Sequence, residues 1–105
     1  MAREQFQTLT EPMYYILLAL LDEVCGVDIM ARVEEISGGR VKVGPGTLYA
    51  MLQKFEENDL IERTAEEGRK KWYRITSRGR GMLEEEMERL RRQIADGARV
   101  MSEEK

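Results

Sequence analysis

Six residues near the C-terminal end of the chain repeat with the spacing of a heptad seam, and this repeat constrains the fold more than any other feature. They are Leu83, Met87, Leu90, Ile94, Gly97 and Met101. Strongly charged segments flank the seam, as is typical of paired helices. A helix over residues 78–101 would be about 36 Å long at about 1.5 Å per residue, which exceeds the width of a small domain. Beyond its first two turns we therefore expect this helix to pair with a second copy of the chain, antiparallel or crossed.

The residues before the seam predict three helices and then a hairpin. The helices are expected over residues 10–21, 27–37 and 45–58, and the strands over residues 61–65 and 72–76. Thr10 has the side chain of an N-terminal helix cap, and Gly68 supplies the turn residue between the two strand-favouring runs. The chain is therefore predicted to be mostly α with a small β-hairpin. Its 105 residues provide material for one core and not for two.

The start of the third helix, Gly44-Pro45-Gly46-Thr47-Leu48-Tyr49, is the most informative segment for function. Proline suits the first helical position, where its missing N–H would be unpaired in any case, and the glycine before it serves as a cap. Gly46 then leaves the backbone bare, and a bare helix N-terminus beside a threonine hydroxyl is a natural seat for a nucleic-acid phosphate. An apolar stripe of Leu48, Leu52 and Phe55 predicts which face is buried. The side chains expected to face outward are Thr47, Tyr49, Gln53 and Lys54.

The formal net charge is −3, and its uneven distribution bears on the partner. Residues 1–40 carry three basic and seven acidic groups, whereas residues 41–81 carry nine basic and six acidic ones. The acid-free stretch 68–83 contains Arg69, Lys70, Lys71, Arg74, Arg78 and Arg80. Because the local field decides whether a surface attracts phosphate, the middle third is the predicted nucleic-acid face. A merely solvated hairpin is the alternative interpretation of this run.

The composition argues against several other classes of protein. Histidine is absent and the one cysteine, Cys25, cannot form an internal disulfide, so a reducing compartment is expected and a Cys/His zinc site is excluded. The longest apolar run, Tyr14 to Leu21, is too short to span a bilayer, and the N-terminus lacks signal-peptide features, so we expect a cytoplasmic protein. Acidic residues lie in runs typical of solvated helix faces, and nucleotide-binding glycine motifs are missing. We predict no catalytic residue, no cofactor, no metal and no membrane partner.

Several short motifs are spread along nearly the whole chain. They are Thr10-Glu11-Pro12, the Gly-X-Asp-Ile of Gly26 to Ile29, Pro45-Gly46-Thr47-Leu48-Tyr49, Leu60-Ile61 and Tyr73-Arg74-Ile75-Thr76. Together they resemble the PadR family of winged-helix transcriptional regulators. Cys25 and Val27 stand where that family often has His and Tyr, and Asp59 stands where a turn glycine is common. The resemblance implies a winged helix-turn-helix DNA-binding domain over residues 1–76 and a dimerisation helix over residues 77–105.

The resemblance and the charge pattern together imply a homodimeric regulator, with repression as its mode and double-stranded DNA as its partner. The predicted DNA-binding residues are Lys42, Gly46, Thr47, Tyr49, Gln53, Lys54, Arg69, Lys70 and Lys71. The predicted dimerisation residues are Leu83, Met87, Leu90, Ile94 and Met101. The alternative is a winged-helix dimer whose third helix and wing bind an acidic protein surface instead of DNA.

An effector is a further partner that the resemblance implies, because PadR-like regulators commonly respond to small aromatic or drug-like molecules. Four methionines are placed either to line an adaptable apolar pocket or simply to fill the core. They are Met13, Met82, Met87 and Met101. Trp72 either covers the base of the hairpin or a contact between subunits, or stacks on an effector, and packing is the interpretation we favour.

Overall fold

The computed structural model describes residues 8–104, and within them the chain forms four α-helices and three β-strands. In chain order the elements are α1 (Glu11–Ala19), β1 (Val24–Cys25), a 3-10 turn (Gly26–Asp28), α2 (Ile29–Ile36), α3 (Pro45–Glu57), β2 (Ile61–Glu67), β3 (Lys70–Ile75) and α4 (Ser77–Glu103). The predicted class, mostly α with a small β-hairpin and a long C-terminal helix, is confirmed. Residues 1–7 of the predicted 1–76 domain and residue 105 of the C-terminal segment lie outside the described residues.

The first three helices pack around a single core, and the first of them begins with the predicted side-chain cap. The hydroxyl of Thr10 accepts a hydrogen bond from the Met13 N–H at 3.4 Å and so caps α1. Helix α2 begins two residues later than predicted because Gly26–Asp28 forms the 3-10 turn. The largest fully buried side chains are those of Phe55, Ile16, Leu17, Leu20, Ile29, Leu48, Leu52 and Leu60, with Glu86 and Val33 beside them. The predicted stripe of α3 therefore forms the centre of the core.

The sheet has three strands rather than the two of the predicted hairpin. Its order is β1-β3-β2, and both pairs are antiparallel. Residues 22–26 were expected to be only a break between helices, but Val24–Cys25 pairs with Tyr73 and Trp72 of β3. A strand of two residues is too short to show alternation, so its formation depends on the tertiary pairing. Trp72 also lies opposite Ala65 of β2 and is partly buried, which agrees with packing at the centre of the sheet.

The β2–β3 hairpin, which we call the wing, is longer than predicted. Its strands run to Glu67 and start again at Lys70, so the turn holds only two residues. Gly68 has φ of 62°, a left-handed conformation that glycine adopts without strain. Tyr73 and Ile75 are buried on one face, as alternation predicts.

Thr76 connects the wing to α4 and to the end of α3, where it was expected to end the second strand. Its hydroxyl accepts a hydrogen bond from the Gly79 N–H at 3.0 Å and donates one to the carbonyl oxygen of Asp59 at 2.6 Å. Its backbone N–H donates to the Leu60 carbonyl at 3.0 Å. Asp59 has φ of 60°, the left-handed turn conformation that aspartate tolerates. Two hydrogen bonds thus attach the start of α4 to the turn that follows α3, and the third caps the helix.

Helix α4 extends well beyond the rest of the chain. Leu83 is buried, Met87 and Leu90 are partly buried, and every residue from 91 to 104 is exposed. The described residues reach 61 Å along their longest axis and only 32 and 21 Å along the others. No helix among them combines the length and apolar character that a membrane crossing requires.

Candidate nucleic-acid interface

The first turn of α3 presents open backbone to the outside. Gly44 is the extended N-cap residue, with φ of −78° and ψ of 162°, and Pro45 occupies the first helical position. The Leu48 N–H makes the first helical bond, to the Gly44 carbonyl at 2.9 Å, so the earlier N–H groups lie before the regular ladder. A Cβ on Gly46 would meet no atom within 4 Å. The fold itself therefore does not require glycine at this position, whereas close approach of an external group would.

The predicted outward-facing side chains of this region are all exposed. They are Lys42, Thr47, Tyr49, Gln53 and Lys54. Tyr49 stands out because it is an aromatic residue that is 46% exposed. Gln53 lies about 12 Å along the helix from Pro45 at about 1.5 Å per residue, and its amide donates to Glu57 at 3.2 Å. Its carboxylate neighbour makes it the predicted site residue least suited to phosphate.

Three cations cluster at the turn of the wing, and we call Arg69, Lys70 and Lys71 the wing-tip cations. Arg69 and Lys70 are exposed and Lys71 is partly buried. Within the described part of the chain none of the three forms an ion pair, and the nearby Glu66 instead pairs with Arg63 at 3.4 Å. Glu67 lies opposite Lys70 in the strand register. Glu66 lies opposite Lys71 in the same register, but its carboxylate pairs with Arg63, so the charge of the wing-tip cations is available to an anionic partner.

A cleft of about 190 Å³ brings the helix and the wing together. It is lined by Gly26, Val27, Tyr49, Tyr73 and the wing-tip cations. Lys42, Gly46, Thr47, Gln53 and Lys54 do not line it. A Cβ on Gly26 would lie 3.5 Å from the Tyr73 ring and 3.7 Å from the Tyr49 ring, so the small residue sits between the two tyrosines.

Two residues of this cleft are missing from the predicted site. Val27 is 59% exposed although it is apolar, and Gly26 borders both tyrosine rings. Both belong to the 3-10 turn, which the chain order places more than twenty residues before Tyr49. The one sequence signal at this position is that Val27 occupies a place where PadR proteins often have tyrosine.

Tyr73 is the buried member of the cleft. Its burial raises the pKa of the phenol, and the carboxylate of Glu56 acts in the same direction. The phenol therefore stays protonated at neutral pH. Other members of the acid-free stretch do not join the cleft, since Arg80 lines a groove beside α1. The basic run thus divides between two surfaces.

The family model described as the transcriptional regulator PadR-like family matches residues 16–85. The chain belongs to the PadR-like family of transcriptional regulators. This membership supports a DNA-binding regulator as the general function, and the proteins of this family are regulators rather than enzymes.

Curated relatives of this PadR-like chain include two proteins of greater length. It is 32% identical over 69 residues to the transcriptional regulator YqjI of Escherichia coli, covering 66% of this chain and 33% of that one. It is 39% identical over 72 residues to a 37.1 kDa protein in transposon TN4556 of Streptomyces fradiae, covering 68% of this chain and 20% of the other. The PadR-like chain thus spans about a fifth to a third of these relatives.

Solved structures show the same winged-helix fold. RosR of H. salinarum superposes with a TM-score of 0.63 at 24% identity, covering 90% of this chain and 97% of RosR. A transcriptional regulator from Clostridium thermocellum superposes with a TM-score of 0.65 at 22% identity, covering 80% of this chain and 88% of that one.

The predicted dimerisation residues of the PadR-like chain occupy three different environments. Leu83 and Met87 line an apolar groove of about 380 Å³ between α1 and α4, with Leu18 and Leu21 on its other wall. Leu90 lines a separate cavity together with Tyr14 and Tyr15 of α1. The remaining members, Ile94 at 71% and Met101 at 74%, are exposed.

The four methionines considered for an effector pocket do not share a cavity within one protomer. Met82 is buried in the core and Met101 is exposed, while Met13 packs partly buried against the core. Met87 lines the α1–α4 groove. Among residues 8–104 no cluster of three or more Cys, Asp or Glu side chains is arranged to hold a metal ion.

Proposed function

We propose that the protein is a homodimeric transcriptional repressor that acts in the cytoplasm and binds double-stranded DNA through α3 and the wing. One observation supports this most directly: Tyr49 and the wing-tip cations line one cleft. Recognition requires side chains that reach a groove and cations that hold the backbone beside it. A duplex lying along this face would meet both at once.

The contacts are assigned by position along α3. Gly46 and Thr47 bind a backbone phosphate at the helix N-terminus, where open space and unpaired N–H groups favour an anion. Tyr49 lies about one turn after the start of α3, and its side chain is exposed. It therefore binds a phosphate or a base edge. The remaining assigned contacts are Gln53 and Lys54 in the groove or at its rim, and Lys42 with the wing-tip cations on flanking phosphates.

Dimerisation is proposed to follow from the unpaired half of α4. Ile94, Val100 and Met101 are exposed apolar residues on a helix segment in which every residue from 91 to 104 is exposed. The α1–α4 groove offers an apolar surface of matching chemistry, with Arg80, Glu84 and Arg91 at its edge. In a two-fold dimer each groove would receive α4 of the other protomer, and residues 77–105 would form the dimerisation segment.

An effector is part of the proposal through the family resemblance. The cavity beside Leu90 has a volume of about 360 Å³ and an aromatic wall of Tyr14 and Tyr15, which suits a small aromatic molecule. It lies between α1 and α4, so a molecule there would bias the packing of the helix that carries the dimer. Repression released by such a molecule is the regulatory mode we propose.

A salt titration of DNA binding tests the proposal. The full chain is mixed with a labelled duplex taken from the region upstream of its own gene, and with a scrambled duplex of equal length. We expect tighter binding to the upstream duplex and a steep fall in affinity between low and moderate salt, because phosphate contacts release counterions.

Indifference to every duplex at low salt would contradict DNA binding. It would support the alternative, a winged-helix module that presents the same helix and wing to an acidic protein surface. Equal binding to both duplexes with a steep salt dependence would contradict sequence-specific regulation while retaining the basic face.

A further inference from the structure

Arg63 of β2 joins the wing to the recognition helix α3. Its Nη2 atom donates to Oε1 of Glu56 on α3 at 3.2 Å, and its Nη1 atom donates to Oε1 of Glu66 at 3.4 Å. The guanidinium carbon also lies 6.0 Å from the ring centre of Tyr73. One side chain of the wing therefore contacts α3, its own strand and the buried tyrosine of the DNA-facing cleft.

Arg63 belongs to the basic middle third of the chain, but its charge is paired with carboxylates of the protein. Both terminal nitrogens of the guanidinium face carboxylates, so Arg63, Glu56 and Glu66 together carry a net negative charge. The hydrogen bond to Glu56 raises the pKa of Arg63 further. A group with this net charge does not attract phosphate. Its role has to be sought within the protein.

The ion pair between Arg63 and Glu56 matters because of its distance from the wing tip. A half-exposed ion pair contributes little to stability, but Arg63 is four residues from the end of β2, about 13 Å along a strand. A change of about 10° in the angle of the wing at Arg63 would move the wing tip by about 2 Å over that length. Such a shift exceeds the tolerance of a hydrogen bond to phosphate. The link also reaches the helix side of the cleft, since Tyr73 and Tyr49 lie on either side of Gly26.

We propose that Glu56 and Arg63 are positioning residues for DNA binding: their ion pair fixes the angle between α3 and the wing, so that the wing-tip cations and Tyr49 meet the same duplex. This inference rests on the proposed DNA-binding function. Neither residue contacts DNA. The register of β2 is irregular between Arg63 and Ala65, next to this ion pair.

The effect of Glu56→Gln on DNA affinity distinguishes a purely electrostatic role of Glu56 from a positioning role, because the two predict changes in opposite directions. Removing a negative charge near DNA normally tightens binding, and it would also release Arg63 for a phosphate. A positioning role predicts the reverse, a loss of about threefold to fivefold in operator affinity, the scale of an exposed ion pair. The matched control is Glu62→Gln, which removes the same charge from an exposed β2 residue and should leave binding equal or slightly tighter.

A double-mutant cycle shows whether the two residues act as one unit. Arg63→Met should weaken binding at least as much as Glu56→Gln, since it also removes the contacts with Glu66 and Tyr73. The double variant should be no weaker than Arg63→Met alone, because the ion pair between Glu56 and Arg63 is already lost in that variant. Tighter binding by Glu56→Gln, or additive losses in the double variant, would overturn the proposal.

Residual dipolar couplings of backbone amides separate this inference from the proposed function, since they report the angle between α3 and the wing without DNA. We expect Glu56→Gln and Arg63→Met to change that angle or its spread, with unchanged couplings inside each element. If the wild-type chain bound no duplex, the proposed function would fail and the couplings alone would decide the positioning role. Wild-type couplings in both variants would refute it.

Discussion

Gly79 of α4 lies directly against the carbonyl oxygen of Leu60, where a Cβ on the glycine would overlap that oxygen. The same Cβ would be 2.8 Å from Cγ1 of Ile75. No side chain fits there unless α4 moves away from the turn after α3. Together with the hydrogen bonds from Thr76 to Asp59 and Leu60, this contact attaches α4 to the turn that follows α3. The direction of α4 therefore sets the separation of the two α3 helices in the proposed dimer.

Gly79→Ala is expected to destabilise the chain because the added methyl collides with backbone rather than with a flexible side chain. Overpacking of this kind costs about 1–3 kcal/mol of unfolding free energy, measurable by urea denaturation. The control is Gly81→Ala, since a Cβ on Gly81 meets no atom within 4 Å. That variant should gain up to about 1 kcal/mol through helix propensity. Equal effects of the two substitutions would contradict the role of Gly79.

Ile94→Glu is expected to dissociate the dimer. Ile94 is 71% exposed in one protomer, so the change leaves the domain core intact and acts only on the paired state. Burial of two carboxylates in an apolar seam costs roughly several kcal/mol of desolvation free energy. Leu90→Glu should act in the same direction but also disturbs the partly buried environment of Leu90 within its own protomer.

Sedimentation equilibrium and operator affinity measure the effect of Ile94→Glu. Ala95→Glu is the matched control, because it adds the same charge at the neighbouring position outside the seam. We expect a monomer with weak operator binding for Ile94→Glu, and a dimer with normal binding for Ala95→Glu. A tight dimer in both variants would place the dimer contact elsewhere.

The sequence predicted those structural elements that depend only on residues close together in the chain. The stripe of α3, the cap at Thr10 and the glycine turn of the wing each depend on neighbours within one element. Strand β1 was not predicted because two residues have no period of their own and require β3 as a partner. The fit of Gly79 against Leu60 was likewise hidden, since the helix pattern indicates only that glycine weakens a turn.

The candidate site likewise combines features that the sequence predicted with features that depend on tertiary packing. Exposure of Thr47 and Tyr49 followed from the helical period, but the proximity of Tyr49 to the wing-tip cations depends on the packing of α3 against the sheet. Gly26 and Val27 enter the cleft from a distant turn, which no pattern within α3 indicates. The link from Glu56 to Arg63 crosses from a helix to a strand, so neither periodicity contains it.

Thr47→Ala and Tyr49→Phe are expected to weaken operator binding while unfolding free energy stays close to that of the wild type. Both side chains are exposed and neither hydroxyl is needed by the buried stripe of Leu48, Leu52 and Phe55. A hydrogen bond to a charged phosphate contributes about 1.5 kcal/mol or more, so each loss should cost about tenfold in affinity. Fluorescence anisotropy with the operator duplex, alongside urea denaturation, checks both quantities. Unfolding of either variant with normal binding of the folded fraction would make the residue structural.

Replacing Arg69, Lys70 and Lys71 together with alanine tests the wing. None of these cations forms an ion pair within the described residues, and Glu66 is held by Arg63, so each is available to a phosphate. The slope of log affinity against log salt should fall by about 0.9 for each lost contact, and by about 2.7 if all three contribute. Glu67 opposite Lys70 should reduce the contribution of that lysine. Preference for the operator over a scrambled duplex should survive, because backbone contacts position a protein without reading bases.

The control is Arg92→Ala with Arg99→Ala on the exposed half of α4, which should leave the slope unchanged. A triple variant with the wild-type slope would show that the wing does not touch DNA, and loss of preference at constant slope would identify a wing residue that reads the minor groove.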